Sequence, residues 1–199
     1  MNPYQKLLNR KRKWTPVQVT AGACMEGAEK TILRALALRH MELPVGDFIT
    51  DALSNDVPEV ARELLESNVR DEENHDVALG YIANAYGVDE KAESEALRLR
   101  DAWVSHPDHT ITKAMVAERA VFFVLLPFFR ANGDAGMRTT SADVSRDEQN
   151  HDLALGYIAN AYGTDPKAEA EALRLRDAWT AHPDHTTVSY THLTLPTKA

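Results

Sequence analysis

Apolar residues recur every three or four positions along most of the chain, the spacing of helices that each bury one face. Thr15-Pro16 reads as a helix start, a capping hydroxyl followed by proline at the first helical position. The helix predicted from there runs to about His40, with Ala28, Ile32, Ala35 and Leu36 as a buried stripe and Glu29 interrupting the apolar pattern nearby. Pro44 and Gly46 are expected to break it, and a short helix is expected over 47–53. Asn55-Asp56-Val57-Pro58 opens a long helix that carries Leu64, Leu65, Asn68, Glu72, His75, Leu79 and Ile82 on one side. It is predicted to stop at Tyr86-Gly87, where glycine can take the left-handed cap conformation. A charged helix over 89–105 follows, with Ala92, Ala96, Leu99 and Trp103 as its apolar stripe. The next long helix holds Met115, Glu118, Phe122, Leu125 and Phe129, with Pro127 predicting a kink or the last turns, and ends at Asn132-Gly133. A fourth long helix carries Glu148 and His151 to Tyr162-Gly163, and Asp165-Pro166 starts a fifth, charged helix to about His182. The pattern predicts an all-α protein.

The polar residues on these apolar faces are not scattered. Residues 71–75 read Asp-Glu-Glu-Asn-His and residues 147–151 read Asp-Glu-Gln-Asn-His, the string D-E-x-x-H twice. Glu and His three apart share one helix face. Both faces continue apolar, at Leu79 and Ile82 and at Leu155 and Ile158. A carboxylate on a core-facing stripe is costly unless it is paired or bound to a metal. Carboxylate and imidazole together suit divalent transition metals, and two such pairs suit a two-metal site. The aspartate before each glutamate points about 100° away from it. It can therefore reach a histidine on a neighbouring helix, and a ligating histidine usually donates its second N–H to a carboxylate. This pairs Asp71 with His151 and Asp147 with His75.

The two strings belong to a larger internal repeat. Residues 71–110 match 147–186 at a constant offset of 76, and seven of the 40 positions differ, at 73, 77, 88, 90, 94, 104 and 105 of the first copy. The helices preceding the copies are much less alike. Two helix pairs about a pseudo-twofold axis would set one D-E-x-x-H helix against the other.

Composition narrows the partners. A formal charge of −8 argues against general nucleic-acid binding. Arg10-Lys11-Arg12-Lys13 is the only basic run, expected as a solvated arm. A single cysteine, Cys24, excludes an internal disulfide and suits a reducing cytoplasm. The longest apolar run, Val121 to Phe129, is too short to span a bilayer, so no membrane partner is expected. Residues 187–196, Val-Ser-Tyr-Thr-His-Leu-Thr-Leu-Pro-Thr, have no helical period and resemble the translation of a transposon-end adapter. Residues 187–199 are therefore set aside as a non-native tail. A single domain over 1–186 is expected, with halves at about 15–105 and 106–186.

The order Glu29, Glu72-x-x-His75, Glu118, Glu148-x-x-His151 resembles the ferritin-like di-iron carboxylate superfamily over about residues 17–163. D-E-x-x-H, rather than bare E-x-x-H, is similar to its oxygen-activating branch, the bacterial multicomponent monooxygenases and the ribonucleotide reductase small subunit. The resemblance implies a ferritin-like four-helix bundle with added charged helices. It implies two irons, or manganese with iron, held by Glu29, Glu72, His75, Glu118, Glu148 and His151. Glu26, three residues before Glu29, competes for the first position or adds a ligand. Asp71 and Asp147 would hold the histidines from outside. It further implies an oxidase or oxygenase that uses O2 and an electron donor on a small, apolar organic substrate, with a homodimer compatible. A ferroxidase or iron-binding role without organic substrate is the alternative. Met115 and Phe122, on the same face as Glu118, would line the substrate pocket. Reductase small subunits carry a radical tyrosine four residues after the first motif histidine. Leu79 and Leu155 stand there, so that property does not carry over. The 43 residues from Glu29 to Glu72, against 30 from Glu118 to Glu148, leave room for the short helix at 47–53.

Overall fold

A computed structural model describes residues 2–54, 57–107, 110–119 and 123–162, with isolated positions between 167 and 181. Phe122, most of the helix expected over 165–182 and the tail at 187–199 lie outside the described residues. Among the described residues every regular element is a helix. They are α1 (Pro3–Leu8), α2 (Glu29–Leu36), a 3₁₀ turn (Ala37–Met41), α3 (Glu42–Ser54), α4 (Glu59–Tyr86), α5 (Glu90–Val104), α6 (Thr110–Ala117), α7 (Phe123–Asn132) and α8 (Ala135–Tyr162). No helix among them is long and apolar enough to cross a membrane.

Local chemistry sets most of the boundaries. Helix α4 ends at Gly87, whose φ of 81° lies in the left-handed region that glycine enters without a Cβ penalty. Helix α5 begins where the Asp89 side chain accepts from the backbone N–H groups of Lys91 and Ala92. Helix α8 begins the same way, with Asp134 accepting from the Met137 N–H at 2.8 Å. The turn before it requires Gly133, because a Cβ there would stand 2.6 Å from the Phe129 carbonyl oxygen.

The long helices α4 and α8, 28 residues each, are in contact with each other. Helix α3 packs on α4 and α6, and α6 and α7 pack on α8. The side of α4 read from the sequence is the buried one: Leu64, Leu65, Asn68, Glu72, His75, Leu79 and Ile82. Fully burying one such leucine or isoleucine stabilises by about 1.5–3 kcal/mol. Ile32, Leu36, Ile49, Met115, Leu125 and Phe129 complete the core from the other elements.

Two stretches differ from expectation. The helix predicted from Thr15 does not form. Residues 11–25 are irregular and helix begins only at Glu29. Val17, Val19 and Thr20 are β-branched and Gly22 follows them, a run poor in helix propensity whatever its start signal. This segment is a strap. Met25 N–H donates to the Asn132 carbonyl at 2.8 Å and Gly22 N–H to the Tyr86 hydroxyl at 2.8 Å. A Cβ at Gly22 would meet Asp134 Oδ2 at 2.7 Å, so a larger residue there would have to displace the Asp134 side chain.

The second correction concerns Pro44 and Gly46, which do not break the chain. They lie inside α3, which runs Glu42–Ser54 rather than 47–53. Pro44 falls in the first turn of α3, where a proline is tolerated. Gly46 is buried at the face where α3 meets Glu72, and a Cβ there would be in ordinary contact at 3.5 Å.

Candidate metal centre

Four carboxylates reach one place from four helices. Glu42 is the first residue of α3, Glu72 is midway along α4, and Glu148 is midway along α8. Glu118 follows α6 in a short π-helical turn, an irregularity that re-aims a side chain and is frequent at functional sites. All four are at most 5 % exposed, and His75 and His151 are fully buried among them.

The ligand atoms fall into two sets. Glu42, Glu72, His75 and Glu148 each offer an atom within 4.8 Å of the others, and so do Glu72, Glu118, Glu148 and His151. Glu72 and Glu148 belong to both. His75 Nδ1 lies 3.1 Å from Glu148, 3.3 Å from Glu42 and 3.5 Å from Glu72. His151 Nδ1 lies 2.9 Å from Glu72, 3.2 Å from Glu118 and 3.7 Å from Glu148. These approaches are close, yet most lack hydrogen-bond geometry. Both oxygens of Glu42, Glu72 and Glu148, together with Glu118 Oε2 and His75 Nδ1, are buried without a hydrogen-bond partner. A buried carboxylate oxygen left in that state costs several kcal/mol. Lone pairs that converge without bonding one another are what a cation satisfies, and two histidines with four glutamates offset the charge of two divalent ions.

The far side of each imidazole is held by an aspartate from the other D-E-x-x-H string. His151 Nε2 lies 3.0 Å from Asp71 Oδ2 and His75 Nε2 lies 3.4 Å from Asp147 Oδ2. An ionised carboxylate only accepts, so in the neutral ring it keeps the proton on Nε2 and would leave the Nδ1 lone pair facing the glutamates. The strap supplies a further partner to each aspartate. Lys11 forms an ion pair with Asp71. Trp14 Nε1–H donates to Asp147 at 2.6 Å, and its ring stacks on His75 with centroids 6.1 Å apart. The basic run is therefore not wholly solvated: the Lys11 side chain is 9 % exposed.

Burial and mutual charge shift the group in opposite directions. Glu42 is pushed well above the ordinary carboxylate range by burial and, further, by Glu72 and Glu148. Glu118 rises for the same reasons. Burial also opposes ionisation of Glu72, but the two histidines outweigh it and hold Glu72 far below that range. Burial disfavours charged His75, but Asp147 and the surrounding glutamates outweigh it and raise the ring well above its usual value. His151 is raised likewise, by Glu72, Asp71 and Glu118 against the cost of burial. Without metal, then, protons occupy the positive role inside this cluster.

Of the residues singled out in the sequence, the structure brings together Glu72, His75, Glu118, Glu148 and His151, with Asp71 and Asp147 behind the histidines. It does not bring Glu26 or Glu29 there. Both are exposed, Glu29 at the start of α2, and Glu42 stands in the position expected for Glu29. Glu42 was hidden by Pro44 and Gly46, which read as a break beside it. One signal could have found it: thirty residues separate Glu42 from Glu72, as thirty separate Glu118 from Glu148. Met115 is buried in α6 one turn before Glu118. Comparisons with protein-family models, with curated proteins and with solved structures give no match.

Proposed function

We propose that this chain is a ferritin-like four-helix bundle, built from α3, α4, α6 and α8, that holds two irons and uses O2 to oxidise a small organic substrate. The observation that carries the reading is the pair of buried ligand sets sharing Glu72 and Glu148. Glu42 and His75 would complete one metal position and Glu118 and His151 the other, with the two shared carboxylates between them. Bound there, iron would supply the redox chemistry and Lewis acidity for using dioxygen, with electrons from an external donor.

The chain's own residues do the rest. Asp71 and Asp147 fix which nitrogen of each histidine is free. The apolar faces of α3, α4, α6 and α8 exclude water, so charges at the centre act in a low dielectric. Met115, apolar and one turn from Glu118, is the described residue best placed to wall a substrate space. The resemblance favours oxidation of a bound substrate over iron storage, because ferritins commonly lack the second of these histidines.

The test is iron content with O2 uptake. Protein loaded anaerobically with ferrous iron should retain about two irons per chain. O2 consumption should then depend on an organic substrate found by panel and on an added reductant. Retention of well under one iron would sink the dinuclear reading. Uptake of many irons per chain, with O2 consumed on ferrous iron alone, would establish a ferroxidase instead.

A further inference from the structure

The two half-sites share their ligand chemistry but differ in the group behind the aspartate. Asp147, which holds His75, accepts a hydrogen bond from the neutral Trp14 indole. Asp71, which holds His151, is paired with the Lys11 ammonium. Both partners come from the strap, outside the repeat, so nothing in the 76-residue offset makes them equal. Resting on the dinuclear reading above, we propose that Lys11 is a positioning residue that makes the two metal positions unequal, the Glu118–His151 position binding a divalent cation more weakly than the Glu42–His75 position.

Two physical effects run in this direction. An aspartate whose charge is already balanced by an ammonium polarises its histidine less, so the ring is a poorer electron donor through Nδ1. The ammonium also adds a positive charge in a buried environment, where screening of its repulsion toward a cation is weak. Trp14 does neither, because an indole N–H orients Asp147 without cancelling its charge. The contact lengths pull the other way, since His151 is nearer its aspartate than His75 is, 3.0 Å against 3.4 Å. A whole charge outweighs that difference in one hydrogen bond.

Manganese(II) is a suitable probe because binding can be counted without turnover. Calorimetric titration of the full chain, with free manganese read by electron paramagnetic resonance, should show two binding steps separated by ~10-fold or more, the lower end of what an outer carboxylate partner is worth. Lys11→Met should tighten the weaker step and bring the two together, whereas Lys11→Arg should keep them apart. Glu118→Gln should remove the weaker step and leave the tighter one, and Glu42→Gln the reverse. The two glutamine variants assign the steps even if Lys11→Met does not fold. Two equal steps in the unsubstituted protein, a reversed assignment, or a Lys11→Met titration identical to the parent's would overturn the inference. If neither manganese nor ferrous iron binds at all, the dinuclear reading itself fails.

Discussion

From Glu42 to His75 and from Glu118 to His151 the chain places one ligand pattern twice, at a constant offset of 76 residues. What precedes the pattern and what backs it differ, although residues 71–110 and 147–186 differ at only seven of 40 positions. Glu42 enters after a 3₁₀ turn and opens a helix with Pro44 in its first turn, whereas Glu118 sits in a π-helical turn after α6. Asn68, one turn before Glu72, is fully buried with neither amide atom hydrogen-bonded, and the equivalent position on α8 is the apolar Val144. The aspartates face an ammonium in one half and an indole in the other. Convergence of the candidate ligand atoms within a few ångström depends on helix register, which fixes their spacing along the chain. The surroundings can diverge as long as they leave that register alone.

The largest effect should come from breaking what the halves share. Glu72→Gln or Glu148→Gln removes a ligand common to both sets, so iron content is expected to fall from about two per chain to near zero. His75→Ala and His151→Ala each strip one half only and should leave about one. Glu29→Gln and Glu26→Gln should leave both. Elemental analysis after anaerobic loading distinguishes these outcomes, and full retention in Glu72→Gln would refute a shared ligand.

Next come the aspartates. Asp71→Asn and Asp147→Asn should preserve helical content yet weaken metal binding by ~10–100-fold, because an amide presents the histidine with the wrong partner. A loss equal to that of His75→Ala would mean the aspartates are themselves ligands.

The pH dependence sharpens the comparison between metal-free and loaded protein. His75 and His151 are raised, so their contribution to metal-free stability is full below the unfolded value, about 6.5, and is lost as pH rises through their folded values. Glu42 and Glu118, also raised, cost stability progressively above the usual carboxylate range. Metal-free protein should therefore melt lower as pH rises above about 7. Metal binding must displace those protons, so affinity should increase over the same window with net proton release measurable by titration in buffers of different ionisation enthalpy. Affinity flat with pH would contradict the proton-filled cluster.

The smallest effect concerns Asn68. Replacing an orphaned amide with an apolar side chain can be neutral or stabilising. Asn68→Val, which copies Val144, is expected to change unfolding free energy by no more than about 1 kcal/mol in chemical denaturation.

Much of this was legible beforehand, for a physical reason. On α4 the apolar period and the polar interruptions share one face, so Glu72 and His75 could be placed inward from spacing alone. The crossed aspartates followed from helix geometry, since one residue of rotation carries Asp71 off the face of Glu72 and toward a neighbour. Glu42 was not legible from local pattern. Proline and glycine within four residues of it signal a break, and only the fold shows a first turn that tolerates proline and a helix contact that admits glycine. The strap was misread because Thr15-Pro16 is a sound local start signal. Its β-branched successors and its bonds to Tyr86 and Asn132 decide otherwise, and those partners lie 64 and more than 100 residues away.

The strap also separates two clocks. Residues 11–25 have no helical ladder of their own and are held by a few bonds to α4, α7 and α8, whereas the glutamates sit in the middle of 28-residue helices. Segments with few backbone bonds open locally at far lower free energy than core helices do. Lys11 reaches His151 only through Asp71, while Trp14 holds Asp147 and stacks on His75, so lifting this one segment would free the outer side of both histidines while the core stays closed. If an ion enters from that side, its arrival would be timed by how often the strap lifts, and its departure likewise. At high ion concentration the rate of loading should level off at that opening frequency, long before it approaches the rate at which the helices themselves come apart.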